Sequence, residues 1–137
     1  MTPDEFSQTA VFPIGEPNTA YAMYFTKQSY LHILTTQGLA SYHVTFEPGC
    51  RNFWHIHHGG GQILLVTAGS GYYQEFGQKA RALKKGDVVN IGPDVKHWHG
   101  ASLESWFSHI AIEIPASNAS NEWLEEVTDE VYLLAKG

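Results

Sequence analysis

Two histidine pairs are the residues of this sequence best suited to chemistry: His55 with His57, and His97 with His99. In an extended strand alternate side chains share a face, so the two members of each pair point the same way. Same-face neighbours lie roughly 7 Å apart, which lets both imidazoles of a pair lean onto one ion. Two such pairs, each following a turn, therefore favour a metal site completed by a third nitrogen.

A glycine run at residues 59–61 separates the first pair from Gln62. These glycines allow the chain to turn back tightly, so that Gln62 could face the histidines from the next strand. Other histidines are expected to have ordinary roles. His32 and His43 are interpreted as surface or core residues with satisfied rings, and His58 as a solvated loop residue.

The composition narrows the classes of partner. The chain has 137 residues, 43% of them hydrophobic, and a net charge of -6, which together favour one folded domain that does not bind nucleic acid. Cys50 is the single cysteine, so an intramolecular disulfide and a thiolate cluster are both excluded. A signal peptide and an apolar run of membrane-spanning length are absent from the sequence, so we expect a cytoplasmic protein without a membrane partner.

Short alternating segments separated by Gly, Pro and Asp turns predict an all-β barrel or sandwich. In the first regular segment, alternation places Tyr42, Val44 and Phe46 on one face. A turn is predicted at residues 69–71. The predicted strands are 39–47, 52–58, 62–68, 72–76, 80–83, 88–91, 96–100 and 106–114.

The two ends of the chain follow other patterns. Three prolines and a glycine punctuate residues 1–20 and predict an irregular N-terminal arm with one short strand, whereas residues 21–34 read as a strand or a short lid. Near the other end, Thr128 can N-cap a short C-terminal helix that Gly137 would end. The apolar side of this helix would consist of Val131, Leu134 and Ala135.

Two segments resemble the paired sequence motifs of the cupin superfamily. They read Gly-x5-His-x-His-x4-Gln-x6-Gly from Gly49 and Gly-Asp-x5-Pro-x3-His from Gly86. The resemblance implies a cupin double-stranded β-helix (jelly-roll barrel) over residues 1–137, with its core at about residues 39–115. It also implies one divalent metal ion inside the barrel. By position in the motifs, the implied ligands are His55, His57, Gln62 and His97.

A closer similarity is to small single-domain cupins related to bacterial manganese-dependent hydroxynitrile lyases and to cupins linked with carboxymuconolactone decarboxylases. The similar segments are Val44–Gly49, Trp54–His57, Gln62–Gly69, Gly86–Val89, Lys96–Ala101 and His109–Ile112, with Trp123 and Val127–Glu130 in the tail. This resemblance implies manganese. Nitrogen and oxygen ligands by themselves also fit Fe, Zn, Ni or Co.

The expected ligands favour Lewis-acid chemistry. Three neutral imidazoles and an amide leave a divalent ion with its full charge, and Gln62 stands where a glutamate is common in the motif but cannot act as a base. Proton transfer would then fall to free imidazoles, for which His99 and His109 are the candidates. Tyr42 is a possible hydroxyl partner. The alternative for His109 is a core histidine bonded to a carbonyl.

We therefore expect a metal-dependent lyase that acts on a small hydroxy or carbonyl compound. Two alternatives stay open at this point: an Fe- or Mn-dependent oxygenase or isomerase, and a cupin that binds a small ligand without catalysis. The segment 63–67 is apolar on both faces, so its outer face needs a cover. The N-terminal aromatic segment, residues 21–34, could provide it, within the chain or across a homodimer.

Overall fold

The computed structural model describes residues 1–136, so the expected helix end at Gly137 lies outside the described residues. Strands dominate this part of the chain. They are β1 (Glu16–Pro17), β2 (Phe25–Thr26), β3 (Ser29–Thr35), β4 (Ser41–Phe46), β5 (Arg51–Asn52), β6 (His55–His58), β7 (Gly61–Glu75), β8 (Arg81–Lys84), β9 (Val88–Ile91), β10 (His97–Ala101), β11 (Phe107–Ile114) and β12 (Ser120–Trp123). The helices are α1 (Pro3–Thr9), a 3-10 helix (Thr19–Tyr24) and α2 (Asp129–Leu134).

The long strand β7 belongs to both halves of the barrel. Its first part pairs antiparallel with β9 and β11, and its second part pairs antiparallel with β8 and β10. The predicted turn at residues 69–71 is therefore wrong, because the chain runs on as one strand. Gly69 has a φ of 71°, and this left-handed residue bends the strand without ending it.

Two curled antiparallel layers enclose the core. One layer has the order β1-β3-β4-β11-β7, with β9 also paired to β7. The other contains β7, β10, β5 and β2, with β8 paired to β7, β6 paired to β10, and β12 paired to β6. Apolar side chains from both layers fill the space between them, including Phe46, Leu64 and Phe107, each with 0% exposure. This arrangement confirms the jelly-roll barrel expected from the sequence.

The N-terminal arm contains a helix, α1, where an irregular segment was expected. Thr2 Oγ1 accepts a hydrogen bond from the Glu5 backbone N–H (3.1 Å), and Glu5 Oε1 accepts one from the Thr2 N–H (3.0 Å). Pro3 occupies the first helical turn, where a missing N–H costs nothing, so this proline starts a helix and does not break one. Phe6 then stacks on Trp106 at 5.2 Å and covers part of the barrel's outer face.

The C-terminal helix α2 begins as predicted, since Thr128 Oγ1 accepts a hydrogen bond from the Val131 N–H at 3.2 Å. Its predicted apolar side is wrong at Leu134, which is 72% exposed. Tyr132 is buried in its place, because its hydroxyl donates to the Ala101 carbonyl and its ring lies 4.4 Å from the Arg51 guanidinium. Within residues 1–136, none of the helices is long and apolar enough to cross a membrane.

Candidate metal centre

Three histidines from two neighbouring strands converge inside the barrel. His55 of β6 lies directly opposite His97 of β10 in the antiparallel ladder, and His57 shares the face of His55. Their ligand nitrogens all lie within 4.8 Å of one another, and all three side chains are buried. The cluster predicted from the two histidine pairs therefore forms, with His97 as its third member.

The Nδ1 atom of each of these histidines is held by an oxygen that can only accept a hydrogen bond. The pairs are His55 with the Phe53 carbonyl (2.8 Å), His97 with the Val95 carbonyl (2.9 Å), and His57 with Asn121 Oδ1 (2.8 Å). Each Nδ1 must therefore carry the hydrogen, which leaves the lone pair on Nε2.

The free Nε2 atoms test whether the cluster suits a metal ion. Nε2 of His57 and Nε2 of His97 are buried and have no hydrogen-bond partner anywhere in residues 1–136. Burial also lowers the pKa of His97 to about 4 and that of His55 well below its ordinary value, so both rings are neutral. Clustered neutral imidazoles with unpaired Nε2 atoms, as in His57 and His97, fit a divalent cation.

Gln62 is the second residue of β7, and it lines the same cavity as His55 and His57. Its Nε2–H donates to Glu113 Oε1 at 2.7 Å. Its Oε1 is buried and has no hydrogen-bond partner within the described chain. The amide of Gln62, which the sequence motif predicted as a fourth ligand, therefore offers an unpaired oxygen beside the cavity that His55 and His57 line.

A cavity of about 270 Å³ opens beside the histidines. Tyr42, Val44 and Phe46 of β4 line it together, as their alternation predicted. Trp123 of β12 stacks on His55 at 4.6 Å and forms another wall. The walls are thus mostly aromatic and apolar, a lining that suits a small organic molecule.

His99 and His109 line this cavity beside the cluster and contact each other, with His109 Nε2 3.2 Å from His99 Nδ1. The Asn52 side chain is oriented by the backbone N–H of His99, which donates to Asn52 Oδ1 at 2.9 Å. Its Nδ2 lies 3.2 Å from His99 Nε2 and 3.5 Å from His99 Nδ1, so it can donate to either ring nitrogen. Burial lowers the pKa of His109 to about 3 and that of His99 well below its ordinary value.

Of the histidines outside the cavity, His43 has the ordinary role expected for it, whereas His58 is the last residue of β6 and not a loop residue. His43 Nδ1 contacts the Pro13 carbonyl at 3.1 Å and its Nε2 contacts Thr67 Oγ1 at 2.8 Å, so both ring nitrogens are satisfied. The side chain of His58 is 43% exposed and pairs with Glu122 at 2.6 Å. Neither ring belongs to the three-histidine cluster.

Sequence reasoning missed three polar residues that hold the site in place: Asn52, Glu113 and Asn121. Glu113 could have been found, because it lies four residues after His109 on the same face of one predicted strand. Asn121 gave no comparable signal, since β12 has no apolar alternation and was not predicted as a strand.

The sequence of this chain is similar to those of known proteins. The family described as "Cupin domain" matches residues 42–104. An (R)-mandelonitrile lyase of Granulicella tundricola is 46% identical over 89 residues, which are 65% of this chain and 67% of that protein.

Solved structures give the same result for the fold. A cupin-like protein of Thermotoga maritima has a TM-score of 0.84 and 44% identity, covering 91% of this chain and 96% of its own. A second Thermotoga maritima protein, described as a predicted oxalate decarboxylase, has a TM-score of 0.66 and 16% identity, covering 80% of this chain and 96% of its own. At that identity the second likeness concerns the fold alone.

Proposed function

The chain belongs to the cupin domain family, and we propose that it is a metal-dependent lyase acting on small hydroxynitriles or related hydroxy and carbonyl compounds. The observation that carries the proposal is the convergence of His55, His57 and His97, whose Nδ1 atoms are hydrogen-bonded so that each Nε2 keeps its lone pair. The 46% identity to an (R)-mandelonitrile lyase supports the choice of reaction.

The donor set supports Lewis-acid chemistry. Three neutral imidazoles and the neutral Gln62 amide would leave a bound divalent ion its full charge, which would supply Lewis-acid polarisation of a substrate oxygen. Gln62 itself cannot take up a proton at neutral pH. We propose manganese as the ion, with Fe, Zn, Ni and Co as the alternatives that these ligands also accept.

Cleavage of a hydroxynitrile requires one proton to be moved. The hydroxyl loses its proton and becomes a carbonyl, while the carbon–carbon bond breaks and its electron pair leaves with cyanide, which takes up the proton. We propose that the neutral, hydrogen-bonded pair of His99 and His109 carries this proton. Tyr42, which lines the same cavity, would orient the substrate through its hydroxyl group.

The size of the cavity supports a small organic substrate that is neutral or singly charged. At about 270 Å³ it is slightly smaller than the ~300 Å³ at which ligand pockets usually begin. We further propose a cytoplasmic homodimer with a small-molecule substrate and neither a nucleic acid nor a membrane as partner. The homodimer rests on the segment 63–67, whose apolar side chains alternate on both faces so that its outer face needs a cover.

Metal content tests the centre itself. The purified protein should contain close to one equivalent of a divalent ion by elemental analysis, whereas His55→Ala and His97→Ala should lose most of it because each removes one of three clustered nitrogens. His32→Ala is the matched control, since His32 lies on β3 outside the cluster. Full occupancy in both cluster variants would overturn the ligand assignment.

The reaction is tested on the manganese-loaded protein. We expect cyanide release from mandelonitrile that is lost in His97→Ala and kept in His32→Ala. A fully loaded protein that releases no cyanide above the uncatalysed rate would overturn the lyase proposal and leave the metal centre standing.

A further inference from the structure

We propose that Glu113 is a positioning residue that fixes the direction of the Gln62 amide, so that the amide presents its oxygen and not its nitrogen to the metal centre. The inference rests on the metal centre of the proposed function. It assigns a role to a carboxylate that lies outside the family motif and that touches Gln62 directly.

The chemistry of the contact selects one orientation. The two ends of an amide are similar in size, but the nitrogen donates hydrogen bonds and the oxygen accepts them. An ionised carboxylate can only accept. With Gln62 Nε2 2.7 Å from Glu113 Oε1, the contact is a charge-assisted hydrogen bond. The opposite orientation would bring two oxygens together without a proton between them.

The pairing of two strands fixes the position of the contact between Gln62 and Glu113. Gln62 and Glu113 are directly opposed in the antiparallel ladder of β7 and β11, so the two side chains leave neighbouring positions on the same face. Glu113 also follows His109 and Ala111 at two-residue spacing, and all three line the cavity. The carboxylate is therefore held at the cavity wall by two paired strands, not by a loop.

The orientation leaves Gln62 Oε1 buried and without a hydrogen-bond partner in the part of the chain that the structure describes. A buried oxygen without a partner is unfavourable until a cation or a donor reaches it. Turned the other way, the amide would present its N–H groups, which repel a cation. Glu113 thus makes a neutral side chain act as an oxygen ligand.

A simpler effect of Glu113 must be distinguished from positioning. Its negative charge would attract any cation in the cavity whether or not Gln62 is present. The two effects differ in their dependence on Gln62, so a double-mutant cycle separates them.

The experiment measures Mn²⁺ affinity by competition with a chromophoric chelator. Glu113→Leu should weaken binding about 10- to 100-fold, the usual effect of losing a residue that orients a ligand. Gln62→Ala should weaken it at least as much. The double variant should bind like Gln62→Ala alone, because Glu113 acts through Gln62. Glu130→Gln, an exposed change in α2, is the charge-matched control and should bind like the wild type.

Equal losses from Glu113→Leu in the wild-type and Gln62→Ala backgrounds would overturn positioning in favour of simple attraction. Wild-type affinity in Glu113→Leu would also overturn it. Failure of the wild-type protein to bind Mn²⁺ or another divalent ion would instead overturn the metal centre, and the inference with it.

A second variant covers the case in which Glu113→Leu does not fold. Glu113→Gln keeps an acceptor of the same size but adds a donor, so the Gln62 amide can settle either way. We expect a few-fold loss of affinity in the wild-type background and none in the Gln62→Ala background. The Co²⁺ absorption spectrum supplies a readout of the donor set, and it should shift with both Glu113 variants only while Gln62 is present.

Discussion

The oxygens that hold the three cluster histidines differ in kind. His55 and His97 each use the backbone carbonyl two residues earlier in the chain, an arrangement repeated on two strands. His57 uses a side chain, Asn121 of β12. A backbone acceptor cannot be removed by substitution, so Asn121 is the one of these three contacts that mutation can test.

Replacement of Asn121 by leucine should weaken metal binding. The change removes the oxygen that holds His57 Nδ1–H at 2.8 Å, so the ring loses the contact that fixes its tautomer and direction. We expect an affinity for Mn²⁺ about 10-fold or more below that of the wild type, measured by chelator competition.

Asn121→Asp is the matched control for this prediction. It keeps an oxygen acceptor at the same position, so it should bind Mn²⁺ at least as tightly as the wild type. If Asn121→Leu bound the ion as tightly as both, the side-chain contact would have no part in orienting His57.

At the level of elements, the sequence predicts those strands that have one buried face. β4 and β11 were found because their apolar residues alternate, and the same alternation placed Tyr42 and His109 at the cavity. Three of the four residues of β12 are exposed, and the strand contributes side-chain contacts to the site more than it buries apolar residues. Its sequence therefore shows no apolar alternation that would predict a strand. The histidine spacing predicted the cluster, but the residues that orient it come from paired strands distant in sequence.

Gly69 shows why the predicted turn within β7 was wrong. A turn and a bend in a strand can both require a glycine with positive φ, and sequence composition does not separate them. In the fold, a Cβ on Gly69 would lie 1.7 Å from the Trp106 carbonyl oxygen of the neighbouring segment. The close approach of two backbones therefore requires glycine here, in addition to the requirement of its φ of 71°.

Gly69→Ala should destabilise the barrel much more than Gly77→Ala. Both glycines have positive φ, 71° and 82°, but a Cβ on Gly77 would meet nothing within 4 Å among the described residues. Gly77→Ala should therefore lose about 1 kcal/mol of unfolding free energy from backbone strain alone. Gly69→Ala should lose roughly 1–3 kcal/mol more, because the backbone must shift to relieve the overlap.

Urea unfolding of both variants and the wild type measures this difference. Equal losses of unfolding free energy in the two variants would mean that the neighbouring strands move apart without an energetic cost. Only the positive φ would then disfavour a substitution of Gly69. A loss confined to Gly69→Ala would instead show that backbone strain at an exposed turn is negligible in this protein.

At the level of the whole molecule, the barrel keeps imidazoles neutral by removing them from water. Burial is the main cause that lowers the pKa of His43, and it lowers that of His109 from 6.5 to about 3. An unfolded chain exposes the same rings, which then take up protons below about pH 6.5. Below that pH the unfolded state binds more protons than the folded state, so stability falls as the pH falls.

The metal-free protein should accordingly lose stability between pH 7 and pH 5, and His109 alone should account for about 2 kcal/mol of that loss. His109→Phe keeps a ring at the site and removes the titrating group, so its unfolding free energy should depend less on pH by about that amount. Phe107→Leu, a change in the neighbouring core, should lower stability by the same amount at both pH values. Urea unfolding in the presence of a chelator measures the unfolding free energy of all three proteins at both pH values. If His109→Phe kept the full pH dependence of the wild type, His109 would be protonated in the folded protein.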